Sequence, residues 1–349
     1  AFDPVAWHVH EMLFGFVAAA IGGFLLTAIP NWTGRLPLQG LPLAALVSVW
    51  LAGRIAVALS AWIGPAAAAA VDIAFLAGLA AVAAREIVTG RNWRNLPVLG
   101  VLVLLTAANA LFHLGETERA EHAAISIVVA LIALIGGRVV PSFTRNWLAR
   151  RGATRLPAPQ GRVDTAAMAV TVVALAAWTA AGDHPLVAAA LGLAAAALAV
   201  RLARWQGLST GAEPLVWVLH LGYLWLPAGL ALLAAGMLTP TVPESVALHA
   251  LTAGAMATTI LAMMTRTTRG HTGRPLAATP ATTAIYLLIT AAAAARLASG
   301  LADDAHLVLL YGAAAAWVAA FALFLLAYGP MLLRPRPGRD PQRNTGAPR

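Results

Sequence analysis

Apolar runs of about 20 residues, each closed by a short polar or turn-forming segment, recur along the whole chain, and a bilayer core of roughly 30 Å needs about that length of helix. Eleven runs are present, approximately Met12 to Pro30, Leu43 to Ile63, Ala66 to Ala84, Pro97 to Leu114, Glu121 to Val140, Thr165 to Gly182, Pro185 to Leu202, Glu213 to Gly236, Glu244 to Met264, Pro280 to Ala298 and Ala305 to Gly329. The pattern predicts an all-α fold, a polytopic transmembrane helix bundle. It forms one domain over residues 1–330, followed by a disordered cytoplasmic tail over 331–349, which is rich in Pro, Arg and Gly and has no apolar face to bury. The longest connection is the arginine-rich segment Pro141–Gly161, and no convincing sequence repeat relates one half of the chain to the other.

Composition agrees with this pattern: 60% of the residues are hydrophobic and 11% charged, whereas a soluble domain carries about 25% charged residues. A soluble enzyme is excluded. All 23 basic residues are Arg, and the net charge of +9 would suggest nucleic acid in a soluble protein. Their placement gives a different reason. With alternate connections assigned to one side, every Arg except Arg54, Arg119 and Arg296 falls on that side. Asp3, Glu11, Glu116, Glu118, Glu121, Asp183, Glu244, Asp303 and Asp304 fall on the other. Positive charge collects on the cytoplasmic face, so the expected location is a bacterial inner membrane, with Ala1 periplasmic, the C-terminus cytoplasmic and the lipid bilayer as partner. No nucleic-acid partner is implied. An odd number of spans that starts outside implies one further helix before this sequence, hence a twelve-helix parent.

There is no Cys, which removes disulfides, iron–sulfur clusters, thiolate metal sites and covalent c-type haem. Any transition metal must then be held by His, helped by Met or a carboxylate. Of the nine His, seven (His8, His10, His113, His122, His184, His249 and His306) lie at or near the outer side, and only His220 and His271 belong to the cytoplasmic half. In Trp7-His8-Val9-His10-Glu11-Met12, residues two apart on a helix point about 200° apart. His8 and His10 therefore serve different centres unless the segment is extended, and Glu11 is placed to orient an imidazole. His113 and His122 bracket an acidic loop, a pattern that suits copper capture or simply a solvated turn. His249 lies about five residues inside its run, near 7 Å below the interface at 1.5 Å per residue, which favours a haem ligand. The small residues after it would admit a flat ring or a neighbouring helix. His220 reads as a core histidine and His271 as part of a turn. Ionisable residues inside a span are costly and mark function or pairing. The hairpin near Gly64 sets Arg54 opposite Asp72, either as a structural ion pair or as a proton relay or propionate anchor.

The segments Trp7-His8-Val9-His10-Glu11-Met12-Leu13-Phe14-Gly15-Phe16, Gly22-Gly23-Phe24 through Pro30-Asn31-Trp32-Thr33-Gly34, Gly136-Gly137-Arg138-Val139-Val140-Pro141-Ser142-Phe143-Thr144, His249 through Met256, and Met264-Thr265-Arg266 with Gly270-His271-Thr272-Gly273-Arg274 resemble the NnrS family of bacterial haem- and copper-containing membrane proteins. The resemblance implies a role in the nitric oxide and nitrosative stress response, with non-covalent b-type haem and copper as cofactors. The metal centre would bind nitric oxide or convert it as an oxidoreductase supplied by an electron donor. A fainter similarity, His8-x-x-x-Met12-x-Phe14 with Gly22-Gly23-Phe24 and Pro30, is to the second helix of the haem-copper oxidase catalytic subunit. It implies His249 and one of His8 or His10 as haem ligands, and His113, His122 and the other N-terminal histidine, His10 as the alternative, as copper ligands. The run from Thr165 contains no His, so a three-His copper centre and oxygen reduction are not implied. Two further classes fit the helix count: a twelve-helix secondary transporter, against which the one-sided histidines argue, and a haem or copper sensor or assembly factor.

Overall fold

The computed structural model describes residues 2–34 and 36–336; Arg35 and residues 337–349 of the expected tail lie outside the described residues. All regular structure among the described residues is helical. Eleven helices are long and apolar enough to cross a membrane: α1 Pro4–Pro30, α2 Leu41–Ala58, α3 Pro65–Thr89, α4 Trp93–His113, α5 Thr117–Arg150, α6 Arg162–Ala181, α7 Pro185–Ala203, α8 Pro214–Leu238, α9 Glu244–His271, α10 Pro280–Ser299 and α11 His306–Leu333. The chain is a membrane protein.

Two boundaries differ instructively from the apolar pattern. Helix α1 starts two turns before Met12 because Asp3 caps it: its Oδ1 accepts from the amides of Val5 at 2.9 Å and Ala6 at 3.0 Å, and Pro4 occupies the first turn, where its missing N–H costs nothing. His8 and His10 are therefore helical, with His10 fully buried and His8 exposed. Helix α5 runs through Pro141 to Arg150, which shortens the loop expected from Pro141 to residues 151–161. Proline removes the donor that would satisfy the carbonyl four residues earlier, and the Gln160 side chain supplies it instead, donating to the Gly137 carbonyl at 2.9 Å. Arg145 donates to the Pro157 carbonyl at 2.7 Å, holding the same loop to the helix.

The chain forms two compact units. One takes in the described residues up to Leu131 together with Val172–Gly182; the other takes in Ile132–Thr171 and the described residues from Asp183 onward. In the first unit, α1 packs on α3, and α2, α3 and α4 pack in sequence, with Gly64 (φ +87°) turning α2 toward α3. In the second, consecutive helices pack from α7 to α11. Helices α1 and α9 each contain one seven-residue π-helical segment, Glu11–Val17 and Ala250–Met256, each directly after a histidine.

The second unit is pinned by a charge that the apolar pattern hides. Arg201, which its place in the chain groups with the cytoplasmic arginines, is only 2% exposed. Its Nε donates to Asp164 at 2.8 Å, and its Nη1 donates to the Ala133 carbonyl at 2.8 Å and the Tyr223 hydroxyl at 3.1 Å. Its guanidinium lies against Gly137 so closely that a Cβ there would overlap it. Gly137→Ala should therefore split the buried pair and lower stability by on the order of 3 kcal/mol. Gly192→Ala, whose Cβ would meet nothing within 4 Å, should leave the thermal midpoint unchanged; equal midpoints for the two variants would disprove the lock.

Candidate metal centre

In the first unit the helices deliver ionisable side chains to one buried point. Gly53 lets α2 come close to α3, since a Cβ there would lie 3.2 Å from the Asp72 Cα. Arg54 then reaches Asp72 as the hairpin register predicts, and its other Nη donates to Glu11 on α1. Asp72, 2% exposed, also takes a hydrogen bond from Asn109 Nδ2 at 2.8 Å. His10 Nε2 lies 3.1 Å and His113 Nε2 3.0 Å from its Oδ2. Ligand atoms of His10, Asp72 and His113 all lie within 4.8 Å of one another.

The donor and acceptor inventory of this cluster is unbalanced. The Glu11 carboxylate 3.3 Å from His10 Nδ1 can only accept, so Nδ1 carries the proton. Nε2 of the neutral ring is then a lone pair, yet it faces Asp72 Oδ2 and, at 3.1 Å, Asn109 Oδ1. Asn109 is held in that orientation because its NH₂ is given to Asp72. Three acceptors thus converge where none can donate, and the arrangement requires a proton or a metal ion at Nε2. Two imidazole nitrogens lie 3.1 and 3.0 Å from one carboxylate oxygen, near enough for the three side chains to share one ion after a small outward shift. Nitrogen and oxygen donors of this kind suit copper or zinc, and the His10 orientation by Glu11 is the outer support such ligands need.

Aromatic rings close the surroundings. Phe2 packs on the rings of His10 at 5.3 Å, His113 at 5.5 Å and Phe112 at 5.2 Å, and Phe14 packs on His10 at 5.3 Å. The π-helical turn sets the approach of α2: Trp50 Nε1 donates to the Gly15 carbonyl at 3.0 Å, and the Arg54 Nη1 lies 2.7 Å from where a Gly15 Cβ would be.

Of the histidines singled out in the sequence, the structure joins His10 and His113, and joins Glu11 to His10. His122 is also buried in the first unit but stacks on Trp178 at 4.2 Å between ring centres and is not a member of the His10–Asp72–His113 group. His249 belongs to the second unit. Its Nδ1 donates to the Ser245 carbonyl at 2.6 Å, which leaves Nε2 as the lone-pair nitrogen, the usual state of a metal-ligating histidine. The flat ring admitted by the small residues after it is that of Trp225, 2.6 Å from an ideal Gly254 Cβ. Sequence reasoning missed Asn109 and treated Asp72 as a partner of Arg54 alone; an Asn and a His four apart on α4, both reaching the helix that carries Asp72, were the available signal.

Gly15→Ala should force Arg54 away from Glu11 and cost about 2 kcal/mol of stability through overpacking. In the same helix, Gly23→Ala places its Cβ in open space and should be neutral or slightly stabilising. Thermal unfolding of the two variants decides this, and a Gly15→Ala protein as stable as the parent would refute the close approach.

No curated protein and no solved structure matches the chain. The family model described as NnrS protein matches residues 1–336, nearly the whole sequence, and the distributed segments that suggested the resemblance lie within that range. Membership is linked to metal binding and suggests a role in the nitric oxide response. This all-helical membrane chain, with a buried His–Asp–His group behind an arginine–carboxylate clamp, belongs to the NnrS family.

Proposed function

We propose that this protein is a haem- and copper-binding inner-membrane protein of the nitric oxide response, which binds nitric oxide at a metal centre in the outer half of the bilayer. The reading is carried by one observation: ligand atoms of His10, Asp72 and His113 lie within 4.8 Å of one another, close enough to share one ion. In this assignment His10, Asp72 and His113 hold copper, and His249, in the second unit, remains as a haem ligand. When bound, the two metals supply coordination positions for nitric oxide. The chain's own residues do the rest. Glu11 keeps the His10 Nδ1 proton and so directs Nε2 inward, Asn109 fixes the Asp72 carboxylate, and Arg54 offsets the two carboxylates that face it.

The purified protein is expected to show a Soret band and bound copper. Asp72→Ala and His113→Ala should each lose copper and keep haem, His249→Ala should lose the Soret band and keep copper, and Glu11→Gln should weaken copper binding by about 10–100-fold. Colourless, copper-free protein from cells replete in both would overturn the proposal.

The same reading places the site on the periplasmic side. His113 ends α4 at the acidic connection that holds Glu116, and Asp72 lies two turns into α3, after a connection without arginine, so both belong to helix ends on the arginine-poor side. Because the chain has no Cys, introduced thiols report the sidedness directly. Glu118→Cys should react with an impermeant maleimide in intact spheroplasts and Ala153→Cys only after lysis; the reverse pattern contradicts the orientation.

A further inference from the structure

One cavity in the first unit is not used by the metal ligands as such. It measures about 180 Å³ and is lined by Phe2, Val57, Ser60, Pro65, Ala68 and His113. His113 therefore belongs both to the cavity wall and to the ligand group around Asp72. The chain builds the cavity from a local break. Helix α2 ends at Ala58, Leu59 departs from helical geometry (φ −96°, ψ 11°), and a single turn, Ser60–Ile63, comes before Gly64 and Pro65 open α3. This offset presents Ser60 to the cavity, and Ala68, 1% exposed, leaves the space that a longer side chain would fill.

The lining chemistry selects a ligand class. Four of the six side chains are apolar, one is a hydroxyl and one an imidazole, and no acid or arginine is among them. The nearby charges are turned elsewhere: Arg54 is engaged by Glu11 and Asp72. Such a wall offers an anion a hydroxyl and an imidazole but no full positive charge, and disfavours its desolvation. A molecule of a few uncharged atoms loses little on entry. The space is partly open, at exposed Pro65, and is of the size of the apolar cavities of roughly 150 Å³ that take xenon or benzene. Phe2 lines the cavity and also packs on the rings of His10 and His113.

We propose that this cavity is the docking chamber through which a small, uncharged, gas-sized ligand reaches His113 and the metal, and that it excludes anions such as nitrite. The role of the chamber as a route to a metal rests on the proposed function; its existence as a gas site does not. The probe is xenon, applied under pressure to crystals of the full chain in lipid, with and without copper. A xenon peak beside Val57, Ala68 and His113 is expected in both. Ala68→Leu should abolish the peak while copper content and thermal midpoint stay at parental values, and Val57→Phe provides the same test from another lining position should Ala68→Leu fail to fold. Absence of xenon from the parent protein, or its persistence in the filled variants, overturns the chamber. Carbon monoxide binding to the cuprous protein, monitored by infrared absorption after flash photolysis, gives the second readout: recombination should slow in Ala68→Leu, and an unchanged rate contradicts the route. Protein that binds xenon but carries no copper would sink the metal reading and leave the chamber standing.

Discussion

The cost of keeping charge inside apolar helices governs the first unit. A lone carboxylate or guanidinium in such a setting is strongly unfavourable, and its charge needs a paired partner. Arg54 answers that requirement for two carboxylates at once, since one guanidinium serves Glu11 on α1 and Asp72 on α3. A single side chain thereby ties three helices together. The second oxygen of Asp72 is then aimed at the Nε2 atoms of His10 and His113, and the Glu11 Oε1 that takes Arg54 also faces His10 Nδ1. Remove the guanidinium and both orientations lose their cause.

The π-helical segments explain how the backbone makes room for this. A π turn inserts an extra residue into the helix and shifts the register of the later turns, so that α1 can point His10 inward and still pack its C-terminal apolar face against α3. The local bulge also brings the Gly15 carbonyl within reach of Trp50. The second unit repeats the device. His249 precedes the segment Ala250–Met256 as His10 precedes Glu11–Val17, with a glycine five residues on in each case, Gly15 and Gly254. Each glycine is pressed by a side chain from a neighbouring helix, Arg54 in one and Trp225 in the other. This shared pattern is too short and too dilute to register as a sequence repeat, yet the same backbone solution places a histidine at the same position relative to the turn.

How much the sequence discloses depends on the range of the physics involved. Apolar runs report on the bilayer locally, so the eleven spans were legible. The Arg54–Asp72 contact was legible because a short hairpin fixes its own register. The His10–Asp72–His113 group was not, because it needs α1, α3 and α4 packed together and residues more than 40 positions apart brought to one oxygen. The extension of α5 through Pro141 was hidden for a similar reason: the lost donor is replaced by Gln160, whose location no local rule predicts. Position along the chain makes Arg201 look like one more arginine at a membrane surface, whereas its burial depends on Asp164 and on the absence of a side chain at Gly137.

Arg54 and Arg201 also show why one cluster is read as functional and the other as structural. Around Arg201 donors and acceptors match: Nε meets Asp164, Nη1 meets a carbonyl and a hydroxyl, and the second Asp164 oxygen is taken by the Gly161 amide at 3.0 Å. Nothing further is required, and a ligand would only disturb it. Around Arg54 the same accounting leaves a surplus of lone pairs, with His10 Nε2, Asn109 Oδ1 and Asp72 Oδ2 mutually facing. A protein core seldom tolerates converging acceptors without a donor between them. That imbalance beneath a ring of phenylalanines leaves one position to be filled, by a proton on His10 Nε2 or by an ion supplied from outside the chain.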